Sequence, residues 1–269
     1  MKPCISQAVS MPRTFAEDID AYASAGCPAV EVWLTKLETH LETHSAASTR
    51  QLLADKQIVL AAASYQGGLL LSQGEQRQAH FDHFRRRLDV CQEFGIGTLL
   101  VVADFAAKIQ HTDLARSVLS LKQAAQWAAG YDVRLALEFR GSSTFCSCLE
   151  TAVALVEQCG ESNVGVNLDV FHYYTGPSKF DDLALLTRDN LAFVQVSDLA
   201  GTPRELAGDA DRVLPGEGDF RLGPILDRLH TIGYDGWVSL ELMNPTFWQT
   251  PAAQVVELGL RSLDRLLQR

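Results

Sequence analysis

No apolar run in the 269 residues reaches the eighteen or so that a membrane helix needs, and the opening MKPCISQAVSMPR has no long apolar segment of the kind that heads a secretion signal. A cytoplasmic location is the expectation. The six cysteines, at 4, 27, 91, 146, 148 and 159, include no CxxC pair, so neither a zinc knuckle nor a disulfide framework is expected and the thiols read as reduced. Cys146 and Cys148 come nearest to a soft ligand pair, but a structural metal site needs two more thiolates or histidines beside them. No glycine-rich turn follows the first β-like run, which argues against a doubly wound dinucleotide-binding sheet. GIG at 95–97 and GEG at 216–218 read as turns. Basic residues are scarce as well: 23 Lys and Arg against 33 Asp and Glu leave a formal charge of −10, which repels a polyanion, so nucleic acid is not an expected partner. The densest basic cluster, Arg85, Arg86 and Arg87, lies in a helical pattern and reads as a solvated helix face.

What the chain does have is apolar residues in short, regular instalments. At 47% apolar and 21% charged it can bury a large core, and no linker or low-complexity tract divides it, so one domain over 1–269 is expected. Strand candidates fall at 4–9, 29–34, 58–64, 98–104, 133–139, 164–170, 191–197 and 237–242, each followed by a stretch of helical periodicity. Several of those stretches end in glycine, and the fourth opens on Thr112, a candidate N-cap with Asp113 in the first turn. Eight β–α units in 269 residues predict an α/β fold of the (β/α)8 TIM barrel type.

Alternation along each strand then sorts the side chains. In RLALEF, Leu135, Leu137 and Phe139 suit a covering helix layer, and Arg134, Ala136 and Glu138 take the other face. GVNLD places Asn167 and Asp169 inward, LAFVQVSD places Gln195 and Ser197 inward, and WVSLEL places Ser239 and Glu241 inward. Four successive strands thus each deliver one oxygen-bearing side chain near the C-terminal end, where barrel enzymes keep their sites: Glu138, Asp169, Gln195 and Glu241. Three carboxylates converging in a partly dry space repel one another unless a cation neutralises them. One divalent metal ion is therefore expected, Mn²⁺ or Mg²⁺ by the hardness of the donors, with Zn²⁺, Co²⁺ and Fe²⁺ also compatible. His172, three residues after Asp169, is placed to reach what the metal holds.

At these residues the chain resembles the xylose isomerase-like family of barrel enzymes, the sugar phosphate isomerase/epimerase superfamily. The resemblance lies in LALEFR, VNLDVFH, FVQVSD and VSLELMNP, and RVLPGEGDF resembles the family's loop after the seventh strand. It implies that Glu138, Asp169, Gln195 and Glu241 bind one divalent metal, that Glu138 and Glu241 are the acid/base pair, and that His172 contacts substrate. Many members carry histidine where this chain has Gln195, while hydroxypyruvate isomerases and 3-dehydroshikimate dehydratases resemble it in having glutamine. AP endonucleases share the fold but need extra histidines that this chain lacks.

The expected partner is a small polyol or keto-sugar, with homo-oligomerisation left open. The expected reaction is isomerisation or epimerisation through proton abstraction beside a carbonyl. Two alternatives stand beside it: a dehydratase acting on 3-dehydroshikimate or 2-keto-myo-inositol, and a non-catalytic polyol- or metal-binding barrel. Arg204 and Arg212, in the loop after the seventh strand, are candidates for binding a phosphate or carboxylate. Trp33 and Tyr65, with Phe105, Arg140 and Trp248, follow strand tips and are candidates for the walls of the substrate site.

Overall fold

The computed structural model describes residues 1–268, and among these ten strands form. In chain order they are β1 (Lys2–Ser6), β2 (Ala29–Trp33), β3 (Val59–Gln66), β4 (Thr98–Val102), β5 (Arg134–Glu138), β6 (Val164–Asp169), β7 (Leu191–Val196), β8 (Asp198–Leu199), β9 (Arg212–Val213) and β10 (Trp237–Leu240). Eight of them close into a barrel in the order β1-β10-β7-β6-β5-β4-β3-β2, while β8 and β9 form a separate antiparallel pair. This is the expected (β/α)8 barrel. Its strands are short and almost wholly buried, as both faces of a parallel sheet under helices must be. Among the described residues no helix is long and apolar enough to cross a membrane.

Contacts along the chain gather into two compact units. The first comprises residues 1–63, 195–222 and the segment from 235 onward. Here β1 pairs in parallel with β10 and β2, with Cys4 opposite Ser239 and Ser6 opposite Glu31. The helix Ala252–Leu267 packs so closely that a β-carbon on Gly259 would collide with the Leu240 side chain. The second unit comprises 64–194 and 223–234. In it β5 pairs with β4 and β6, setting Glu138 opposite Val102 and Asn167.

Three local expectations are corrected. Residues 7–10 leave the first strand for a 3-10 turn, because the Ser6 hydroxyl accepts from the Ala8 amide and Tyr22 Oη bonds both Ser6 O and Ser10 Oγ. The helix His111–Ala129 is capped by Gln110 rather than Thr112, with Asp113 accepting from the Gln110 amide at 2.9 Å. In the Arg85–Arg87 cluster of the helix Gly74–Glu93, Arg85 and Arg86 are exposed but Arg87 is buried, three residues past the core side chain Phe84, and donates to Tyr65 O at 2.5 Å.

Candidate active site

In the second unit the site grows from the ends of two paired strands. β5 terminates on Glu138 and β6 on Asp169. The Asp169 carboxylate caps the short helix Val170–Thr175: its Oδ1 accepts from the Phe171 amide at 2.8 Å. That bond turns the carboxylate and starts the helix whose third residue is His172. One local motif, LDVFH, therefore aims both an acid and an imidazole. His172 Nε2 lies 3.6 Å from Asp169 Oδ2 and 3.7 Å from Glu138 Oε1. These contacts are longer than hydrogen bonds. The three side chains are 0–8% exposed, and one ligand atom from each falls within 4.8 Å of the others.

In the first unit the polar side chains are tied to one another. Gln195 Nε2 donates to Glu31 Oε1 at 2.9 Å, and both residues are fully buried. Arg212, only 1% exposed, reaches Glu241 Oε2 with Nη1 at 3.1 Å. The same guanidinium donates to Ser197 Oγ and, through Nε and Nη2, to Asp209 Oδ1. Its backbone oxygen accepts from Asn244 Nδ2. A planar cation with five donors is suited to this kind of fixed fork, and here the fork sets a permanent positive charge against Glu241.

The loop behind Arg212 is held by Asp198. Its two carboxylate oxygens accept from the amides of Leu199, Gly216 and Phe220, each at 2.9 Å. Gly218 packs against Asp198 so tightly that a β-carbon would overlap the carboxylate and Leu199 O. The GEG turn is thus a loop organised from within by one buried acid.

The predicted residues fall into distinct places. Glu138, Asp169 and His172 are brought together; so are Glu241 with Arg212, and Gln195 with Glu31. Arg204 stays at the surface, 3.5 Å from Glu205, with both side chains more than half exposed. Trp33 lines a groove of about 510 Å³ with Met11, Phe15 and His40, its backbone amide bonded to Gln7 Oε1. Tyr65 is 43% exposed, and Phe105 is buried edge-on against Phe145. Sequence reasoning passed over Glu31, Asp198 and Asp209. For Glu31 the signal was a lone acid at the centre of AVEVW, on the same strand face as Trp33.

Chemically, two carboxylates and an imidazole in a nearly dry cluster offer hard and borderline donors, and a divalent cation of the Mg²⁺ to Zn²⁺ range is compatible with that set.

The family model for the xylose isomerase-like TIM barrel matches residues 19–266. An inosose isomerase of Halalkalibacterium halodurans is 25% identical over 265 residues, spanning 96% of this chain and 93% of that protein. A 3-dehydroshikimate dehydratase of Pseudomonas aeruginosa is 29% identical over 95% of this chain, which spans 40% of that longer protein. Among solved structures, that of the IOLI protein with a binding zinc atom has the same fold, with a TM-score of 0.92 at 23% identity and coverage of 100% and 98% of the two chains.

Proposed function

Since the chain belongs to the xylose isomerase-like TIM barrel family, we propose that it is a divalent-metal-dependent isomerase or epimerase of a keto-polyol, acting by proton abstraction next to a carbonyl. The observation that carries this is the buried cluster of Glu138, Asp169 and His172. In this reading Glu138, Asp169, Gln195 and Glu241 hold one cation: Glu138 and Asp169 are the last residues of β5 and β6, Gln195 is the penultimate residue of β7, and Glu241 follows β10. When bound, the cation supplies Lewis acidity toward a carbonyl and its neighbouring hydroxyl.

The remaining work falls to the chain's own groups. Glu241, with Oε2 held by Arg212, takes the proton from the carbon beside the carbonyl, and Glu138 returns a proton on the product side. His172 donates to a substrate oxygen as charge develops there, in a pocket where burial strengthens the bond. Arg212 is in this reading a positioning residue for Glu241 rather than a binder of a distant phosphate, because its donors are engaged by Asp209, Ser197 and Glu241.

The relatives divide between isomerisation and dehydration, and both begin with the same proton transfer. The 25% identity to an inosose isomerase over nearly the whole of both proteins favours a cyclic keto-polyol as substrate. The 29% identity to a 3-dehydroshikimate dehydratase supports a second reading, loss of a β-hydroxyl from a cyclic ketone. The test is solvent-deuterium exchange into inososes, ketoses and 3-dehydroshikimate, with and without chelator. Chelator-sensitive exchange into an inosose without an absorbing product supports the isomerase. Enzymatic growth of a conjugated chromophore from a ketone substrate moves the assignment to the dehydratase, and absence of exchange from every ketone removes both.

A further inference from the structure

One fully buried acid lies outside the proposed ligand set. Glu31 stands in the middle of β2, between the core residues Val30 and Val32, and is fully shielded from solvent. A carboxylate in such a place is costly unless hydrogen-bonded, and Oε1 accepts from the side-chain amide of Gln195 at 2.9 Å. The chemistry of that bond has a direction. An ionised carboxylate can only accept, whereas a glutamine amide offers an NH₂ on one side and a carbonyl oxygen on the other. Facing Glu31, Gln195 must present the NH₂, so its oxygen is turned away from Glu31.

We infer that Glu31 is a positioning residue that locks the Gln195 amide in the one orientation able to offer oxygen to a cation. The inference rests on the metal-centre reading given above. An amide rotated by half a turn would direct N–H groups at a positive ion, so a neutral glutamine is a dependable oxygen ligand only if something forbids that rotation. Groups behind metal ligands are known to act in this way, and their loss weakens metal binding by about ten- to a hundredfold.

A double-mutant cycle in the full chain tests it, read as affinity for Mn²⁺ by isothermal titration in the absence of substrate. Glu31→Gln keeps the size of the side chain but lets it act as donor or acceptor, so either orientation of Gln195 becomes allowed. Affinity is expected to fall about ten- to a hundredfold in Glu31→Gln. In a Gln195→Leu background the same change should alter affinity by no more than about twofold, because Glu31 then has no amide to orient. If Glu31→Gln does not fold, as judged by circular dichroism, Glu31→Asp withdraws the acceptor by one methylene and takes its place in the cycle.

Equal affinity in the wild type and Glu31→Gln overturns the positioning role and leaves the metal centre standing. A full loss that persists in the Gln195→Leu background also overturns it, since the effect is then one of charge alone. Failure of the wild-type protein to bind either Mn²⁺ or Zn²⁺ overturns the metal-centre reading itself, and this inference with it.

Discussion

Two groups of polar residues in this molecule are about equally buried and are organised in opposite ways. Around Glu138 and Asp169 the contacts to His172 are 3.6–3.7 Å, longer than hydrogen bonds, while Asp169 Oδ1 accepts from the Phe171 amide at 2.8 Å. Around Glu241 and Gln195 the contacts are 2.8–3.3 Å, and nearly every donor has a fixed acceptor. Burial costs both groups their hydration. The second sets a guanidinium and an amide against its acids, and the first sets two acids against one imidazole, a donor set compatible with a divalent cation.

The largest expected effect breaks the loosely joined group. Asp169→Asn keeps the helix cap but removes a charge from the proposed ligand set, and chelator-sensitive α-proton exchange should be lost. The same change supplies a structural readout. Saturating Mn²⁺ at about a hundred times its Kd should stabilise the wild-type protein by about 2.7 kcal/mol, or about 5–10 °C in Tm for a chain of this size. Chelator should abolish that gain, and Asp169→Asn should show neither the gain nor the loss. A Tm in this variant that still rises with Mn²⁺ places the ion elsewhere.

Next comes the joined group. Arg212→Met leaves Glu241 buried beside an apolar side chain, and breaking a buried pair costs about 3–5 kcal/mol. Urea unfolding without metal measures it, and a cost below about 1 kcal/mol would show that the pair is no more than a surface-type contact. Behind this group, Gly218→Ala forces the loop away from Asp198 and should cost about 3 kcal/mol, the upper end for overpacking. Its urea midpoint checks this, and an unchanged midpoint would mean that the loop yields freely.

The same contrast explains what could be read without coordinates. Strand parity alone marked Glu138, Asp169, Gln195 and Glu241, because period two in a barrel strand leaves little choice of face. The barrel itself followed from alternating units. Parity says nothing about partners across the fold. Glu31 and Gln195 are 164 residues apart, and only the closed structure pairs them. Arg87 was hidden for a related reason: a run of arginines on a helix looks solvated until a packing neighbour is known. Ser6 and Tyr22 converted the end of an apparent strand into a turn by side-chain bonds that no periodicity registers.

The smallest effect concerns the base of the strand that carries Glu31. Cys27 precedes β2, its thiol is directed at Ala29 O, and burial pushes its pKa up from 9.0 to about 11. The folded chain therefore keeps a proton that the unfolded chain releases. Its contribution to stability is complete below pH 9 and is lost as pH rises from 9 to about 11. One such group changes stability by at most about 1.4 kcal/mol per pH unit in that window. Cys146, in the second unit, is pushed up to about 12 by burial and adds a similar slope. Urea midpoints of the metal-free protein at pH 8, 9.5 and 10.5 should decline accordingly, and Cys27→Ala should be less stable at pH 8 but lose less on going to pH 10.5. A decline of equal steepness in that variant would assign the alkaline loss to Cys146 and the other buried thiols, and would leave the start of β2 anchored by packing rather than by the protonated sulfur.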